Sequence, residues 1–119
     1  MIIYKATNLI NGKVYIGQTT KTLTERMEGH IEKAGGYSQT YFQRSIIEHG
    51  VDNFKWEVIC ICPNIDSLNE QEQYYIALYD SMNNGYNRTS GGVYYKMSDA
   101  RKEEIRQTKL KYWHNQRQL

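Results

Sequence analysis

The 119-residue sequence predicts an α+β domain, and three observations carry that prediction. Two β-rich arms flank an Asn-Gly dipeptide near the start, helical periodicity follows, and an alternating aromatic and β-branched run then interrupts it. At this length, one domain built on one core is the economical arrangement.

The first element is a hairpin. Ile2 to Asn8 and Lys13 to Gln18 are rich in β-branched and aromatic residues, and Asn11-Gly12 between them is a strong turn signal. Next, "LTERMEGHIEKA" places Leu23, Met27, Ile31 and Ala34 on one helical stripe; Thr22 is its N-cap candidate with Glu25 three residues on, and Gly35-Gly36 ends it. A second helix is expected from about Thr40 to His49, stopped by Gly50, with Phe42, Ser45 and Ile46 inward. "NFKWEVICIC" alternates Phe54, Trp56, Val58 and Cys60 up to Pro63, which reads as a third strand. From Ser67 a helical stripe returns through Leu68, Glu72, Tyr75, Ile76 and Tyr79, of which all but Glu72 belong in a core. The polar, glycine-rich "NNGYNRTSGG" is a loop separating the body from the tail. The tail begins at a capping Ser98 or Asp99 and reads as a charged helix.

Charge divides along the chain. Residues 1–95 hold 8 basic and 10 acidic side chains, giving −2, whereas 96–119 hold 7 and 3, giving +4. A basic extension suits a polyanionic partner, although a solvated lysine-bearing helix has the same composition. No apolar run approaches the ~20 residues of a membrane span, and no basic-then-apolar leader opens the chain, so an intracellular protein is expected. Cys60 and Cys62, two apart in a strand, should share a face as reduced thiols, and two thiols alone do not close a zinc site.

Strand parity extends this reading to candidate chemistry. An even-numbered loop, two residues around Asn11-Gly12 or four from Leu9 to Gly12, puts even positions of the first arm on the same face as odd positions of the second. Tyr4 and Tyr15 then share a face with Lys13 and Gly17, and Gly17 leaves an opening beside Tyr4. Taken alone, the tyrosines read as an aromatic pair steadying a hairpin, worth ~0.2–1 kcal/mol. Glu72 on an apolar stripe must be protonated, paired, bound to a cation, or snorkelling to water. Arg26 and His30, four apart, lie on one helical edge beside the stripe, where a solvated flank with Glu25 and Glu28 is the alternative.

The ordered set "IIY", "YIG" after ten intervening residues, Arg26, His30, Glu72 and Asn87 resembles the GIY-YIG nuclease family over residues 1–92. The connecting text "TNLINGKVYIGQT", "QRSIIEHGVDNF" and "NNGYN" resembles its phage and intron-encoded homing endonuclease branch. The resemblance implies a small three-stranded antiparallel sheet flanked by helices, and a metal-dependent DNA endonuclease. The catalytic set implied is Tyr4, Tyr15, Arg26, His30 and Glu72. Glu72 would hold one divalent ion, Mg²⁺ or Mn²⁺, since hard cations take oxygen ligands and keep waters. Arg26 would clamp the phosphate with its planar fork. Tyr15 would be the base for the attacking water and Tyr4 its orienting neighbour; a tyrosine's solution pKa near ~10 requires Arg26, Lys13 or the metal to lower it. His30 would relay a proton or bind phosphate. Lys13, Tyr37 and Asn87 are substrate-contact candidates, with Asn87 equally suited to bracing its loop. Two departures stand out: Ile2 occupies the usual glycine position of the first motif, and Tyr37 a place where relatives carry histidine.

The tail, 93–119, resembles short helical DNA-binding modules, with Lys96, Arg101, Lys102, Arg106, Lys109 and Lys111 meeting phosphates of double-stranded DNA. The rival readings are a catalytically idle DNA-binding module and a restriction or repair nuclease of the same fold. Cytoplasm of a bacterial or phage-infected cell follows from the resemblance.

Overall fold

The computed structural model describes residues 1–37 and 39–91. In chain order the elements are β1 (Ile2–Asn8), β2 (Val14–Thr19), α1 (Leu23–Ala34), α2 (Tyr41–His49), a single 3-10 turn (Val51–Asn53), β3 (Phe54–Ile61), α3 (Ile65–Tyr79) and the short α4 (Ser81–Asn84). The expected tail helix, with Lys96, Arg101, Lys102, Arg106, Lys109 and Lys111, lies outside the described residues. Among the described residues no helix is long and apolar enough to cross a membrane.

The three strands form one antiparallel sheet in the order β2-β1-β3. The hairpin closes through a four-residue loop: Asn8 N–H donates to the Lys13 carbonyl, and Gly12, at φ +77°, donates to Asn8. That even count puts Tyr4, Ala6, Tyr15 and Gly17 on one face. As the central strand, β1 is covered on both sides, so Ile3, Tyr4 and Ala6 are fully buried.

Each face has its own helices. Ala6, Ala34, Phe42, Ile46, Phe54 and Tyr86 form the core under α1 and α2, with Tyr15 and Trp56 packed against it. On the other face Ile3, Ile16, Cys62, Leu68 and Ile76 pack beneath α3. Each fully buried aliphatic side chain contributes roughly 1.5–3 kcal/mol.

Capping follows the expected chemistry. Thr22 accepts from Glu25 N–H at 3.2 Å, and Gly35 ends α1. Thr40 and Gln43 form a reciprocal capping box at the start of α2, and Gly50, at φ +88°, stops it. Helix α3 begins at Ile65, two residues earlier than expected, because the Asn64 side chain accepts from Ser67 N–H at 2.8 Å.

Three burial expectations are corrected. Between Ile3 and Tyr4 the pairing with β3 jumps from Cys60 to Val58, so Ile59 forms a bulge. The extra residue turns Cys60 to the α3 side, where its Sγ lies 3.8 Å from Cys62 Sγ, and leaves Val58 exposed. Tyr79, expected inward, is exposed at the end of α3, where the Lys5 ammonium sits 4.7 Å from its ring centroid. On α1 the deeply buried positions are His30 and Ala34, while Met27 and Ile31 are half-buried. The stripe is rotated toward His30 because the sheet beneath offers its ring a polar partner.

Candidate active site

That partner is Tyr4, whose Oη lies 2.7 Å from His30 Nε2. Arg26, one turn earlier on α1, donates from Nε to the same oxygen at 3.3 Å. The i, i+4 spacing of Arg26 and His30 thus aims both at one phenol. Around it, Trp56 stacks on Tyr4 with centroids 6.1 Å apart, and Phe42 stacks on Tyr15 at 4.3 Å and 5°. His30 meets Tyr15 and Phe42 edge-on at 5.4 and 5.1 Å. The solvated-flank alternative for His30 is excluded, since the residue is 4% exposed.

Burial, with the Arg26 and Lys33 charges, lowers the His30 pKa from 6.5 to about 3, so the ring is neutral near neutral pH. Its Nδ1 lies 3.4 Å from Gln43 Nε2. Tyr15 is half-buried with its centroid 6.1 Å from that of Tyr4. The Tyr15 hydroxyl is held above the ordinary tyrosine value: burial pushes it up and the Glu72 charge adds to this, outweighing the Arg26 charge and hydrogen bonding with Tyr4 and Arg26. The expected lowering by Arg26 or Lys13 is not met, Lys13 being turned to Tyr41.

Gly17 faces Tyr4 across the hairpin, and the expected opening there is filled by the Tyr4 ring. A Cβ on Gly17 would lie 2.3 Å from both Tyr4 Cζ and Oη.

Glu72 rises from α3 between Leu68 and Ile76 and is 2% exposed. It does not snorkel. The backbone at Gly91, at φ +86°, passes so close that a Cβ there would lie 2.9 Å from Glu72 Oε1. Among the described residues no three His, Cys, Asp or Glu side chains gather to hold a metal ion. One carboxylate with a side-chain-free residue beside it fits a hard divalent cation that completes its shell with water and phosphate oxygens.

The other candidates are placed elsewhere. Both ends of the Asn87 amide engage the Ile16 backbone: Oδ1 accepts from its N–H at 2.9 Å, and Nδ2 donates to its carbonyl at 2.8 Å. Asn87 therefore braces its loop onto the β2 edge, between Tyr15 and Gly17. Lys13 directs its ammonium to the Tyr41 hydroxyl at 2.7 Å, and that hydrogen bond raises its pKa. Tyr37 is fully exposed in the loop after α1 and is not packed against the tyrosine cluster.

The family model for the GIY-YIG catalytic domain matches residues 1–87. The chain belongs to the GIY-YIG family. Two solved structures of the catalytic domain of the intron and homing endonuclease I-TevI share its fold. One, a point mutant, is 29% identical with a TM-score of 0.66, covering 79% of this chain and 96% of that one. The second is 31% identical with a TM-score of 0.64, covering 73% and 96%. The uncharacterized protein 019R of Invertebrate iridescent virus 6 is 33% identical over 95 residues, covering 74% of this chain. The chain spans about a third of the length of that relative.

Within the GIY-YIG frame, β1 carries Ile2-Ile3-Tyr4 and β2 carries Tyr15-Ile16-Gly17. The Tyr4–Gly17 pairing locks the first motif's tyrosine against the second motif's glycine. Sequence reasoning placed Phe42 inward and Trp56 in an alternating strand without linking either to the tyrosines, and missed Gln43, whose signal is the Thr-x-x-Gln spacing of a capping box.

Proposed function

We propose that this chain is a divalent-metal-dependent DNA endonuclease that hydrolyses phosphodiester bonds to leave 5′-phosphate and 3′-hydroxyl ends. The observation that carries the reading is the convergence of Arg26 and His30 on the Tyr4 hydroxyl, with Tyr15 and the buried Glu72 beside it. A tyrosine pair backed by a guanidinium and a neutral imidazole is suited to orienting a water and moving its proton.

In this mechanism Tyr15 reacts as its phenolate, having first released its own proton to solvent, and takes a proton from the attacking water while Tyr4, buried behind it, holds that oxygen in place. Water attacks phosphorus, the P–O3′ bond breaks, and the 3′ oxygen leaves as an alkoxide that takes its proton from solvent water. Arg26, half-exposed and adjacent to both tyrosines, opposes the charge developing on the phosphate. His30 acts through Tyr4, because its burial keeps it from touching phosphate. Glu72 would hold Mg²⁺ or Mn²⁺; when bound, such an ion neutralises phosphate charge and stabilises the departing oxygen. The substrate is double-stranded DNA, with the tail 93–119 adding salt-sensitive phosphate contacts. Likeness to the I-TevI catalytic domain supports a homing-type role.

A supercoiled-plasmid assay tests this. Nicking or linearisation with Mg²⁺, lost on chelation, is the expected result. Protein that binds duplex DNA yet never nicks it with Mg²⁺ or Mn²⁺ would return the fold to a DNA-binding module.

A further inference from the structure

The buried Gln43 side chain belongs to no part of the mechanism above, yet it stands at the far end of a hydrogen-bonded row leading to Tyr15. Its two ends are chemically distinct, and the capping box fixes which is which. Thr40 N–H, 3.1 Å from Gln43 Oε1, can only be received by an oxygen. The reciprocal bond, Gln43 N–H to Thr40 Oγ1 at 3.1 Å, holds the residue in register. The NH₂ end therefore faces His30 Nδ1 at 3.4 Å. An amide nitrogen only donates, so Nδ1 must accept, and a neutral ring then carries its proton on Nε2.

The consequence runs on to the tyrosines. Nε2–H donates to Tyr4 Oη at 2.7 Å, and Arg26 Nε–H donates to the same oxygen at 3.3 Å. With both lone pairs of Tyr4 taken, its own proton is directed onward, and Tyr15 is its hydrogen-bonding neighbour. In the opposite tautomer Nδ1–H would meet the Gln43 NH₂, and Nε2 would draw the Tyr4 proton back toward α1.

We propose that Gln43 is a positioning residue for the reaction: through the cap of α2 it selects the Nε2-protonated tautomer of His30, so that Tyr4 donates to Tyr15. The proposal rests on the nuclease reading above for its catalytic half. The row gives Tyr15 a donor aimed at the oxygen on which negative charge develops. A loop-side cap thereby sets a proton's position three side chains away.

The test is Gln43→Glu, which keeps an acceptor for the Thr40 N–H, glutamate being a natural partner in a capping box, but turns the group facing His30 from donor to acceptor. Ring-nitrogen ¹⁵N spectra at mildly alkaline pH report the tautomer without reference to activity. In the wild type His30 is expected to be protonated at Nε2 and bare at Nδ1; in Gln43→Glu the proton moves to Nδ1. In single-turnover cleavage the variant is expected to lose about 10²-fold in rate, the lower end of what a positioned proton-transfer group contributes, with DNA affinity retained and the protein still folded at the assay temperature. A wild-type His30 protonated at Nδ1 overturns the proposal, as does a variant whose ¹⁵N pattern and cleavage rate match the wild type. If wild-type protein shows the expected ring pattern but never cuts DNA, the nuclease reading fails and takes the catalytic half with it.

Discussion

The Tyr4 ring occupies the space where Gly17 has no side chain, so that a single methyl group at Gly17 would fall 2.3 Å from the phenol oxygen. The constraint is local and steric: Gly17 lies directly opposite Tyr4 in the β1–β2 ladder, with an ordinary extended backbone. Gly17→Ala must therefore push Tyr4 away from His30 and Arg26. A displacement near 1 Å costs on the order of 10²-fold in rate, and overpacking costs about 1–3 kcal/mol of stability. Plasmid nicking and urea denaturation of the same preparation check both. Wild-type cleavage by Gly17→Ala would mean that the position of the Tyr4 hydroxyl is unimportant.

The two tyrosine hydroxyls should fail differently. Tyr15→Phe removes an oxygen from a half-buried ring already packed on Phe42, so cleavage is expected to fall by 10² or more, with a stability loss smaller than that of Tyr4→Phe because only the Tyr4 proton loses its partner. Tyr4→Phe should lose cleavage comparably but also destabilise the protein by about 1–3 kcal/mol, because it strands the buried His30 nitrogen without its partner. Equal stability of the two variants would contradict the buried contact.

Much of this architecture was legible because local rules and tertiary packing agree. Asn11-Gly12 specified the hairpin, loop parity placed Tyr4 and Tyr15 on one face, and Glu72 announced itself as a carboxylate on an apolar stripe. The bulge at Ile59 was not legible, since an inserted residue leaves the composition of an alternating strand unchanged while reversing its facing. The depth of His30, placed at the edge of the α1 stripe, was not legible because burial of an imidazole depends on a partner from another element, here the Tyr4 hydroxyl. Gln43 shows the same gap: its cap was readable within α2, whereas its other end acquires meaning only when α1 packs alongside.

For Glu72 the discriminating substitution is Glu72→Gln, which preserves volume in a site hemmed by Gly91 and Ile76. Cleavage is expected to vanish while duplex binding by fluorescence anisotropy persists. Adding Mg²⁺ should also raise the melting temperature of the wild type, since a ligand held by the native state stabilises it by about 2.7 kcal/mol at a hundredfold excess over Kd. Glu72→Gln should show no such rise. Strong Mg²⁺-dependent cutting by the folded variant would remove Glu72 from the metal site.

The depressed pKa of His30 makes acid stability a further readout. Above the unfolded-state value of 6.5 the ring is neutral in both states and contributes no pH dependence. Between 6.5 and the native value of about 3, the unfolded chain binds a proton that the native protein refuses. Stability therefore declines as pH falls through that window, by up to about 1.4 kcal/mol per pH unit, and levels off below the native value. Ordinary carboxylates titrate near ~4, so the stretch from 6.5 down to about 5 isolates the imidazole, with an expected loss of about 2 kcal/mol. Urea denaturation at intervals across that stretch should give a sloping profile for the wild type. His30→Gln, which keeps a polar group facing Tyr4 but cannot titrate, should lose most of that slope. Parallel slopes in the two proteins would mean that His30 is protonated in the native state, and would remove the bare Nδ1 on which the Gln43 contact depends.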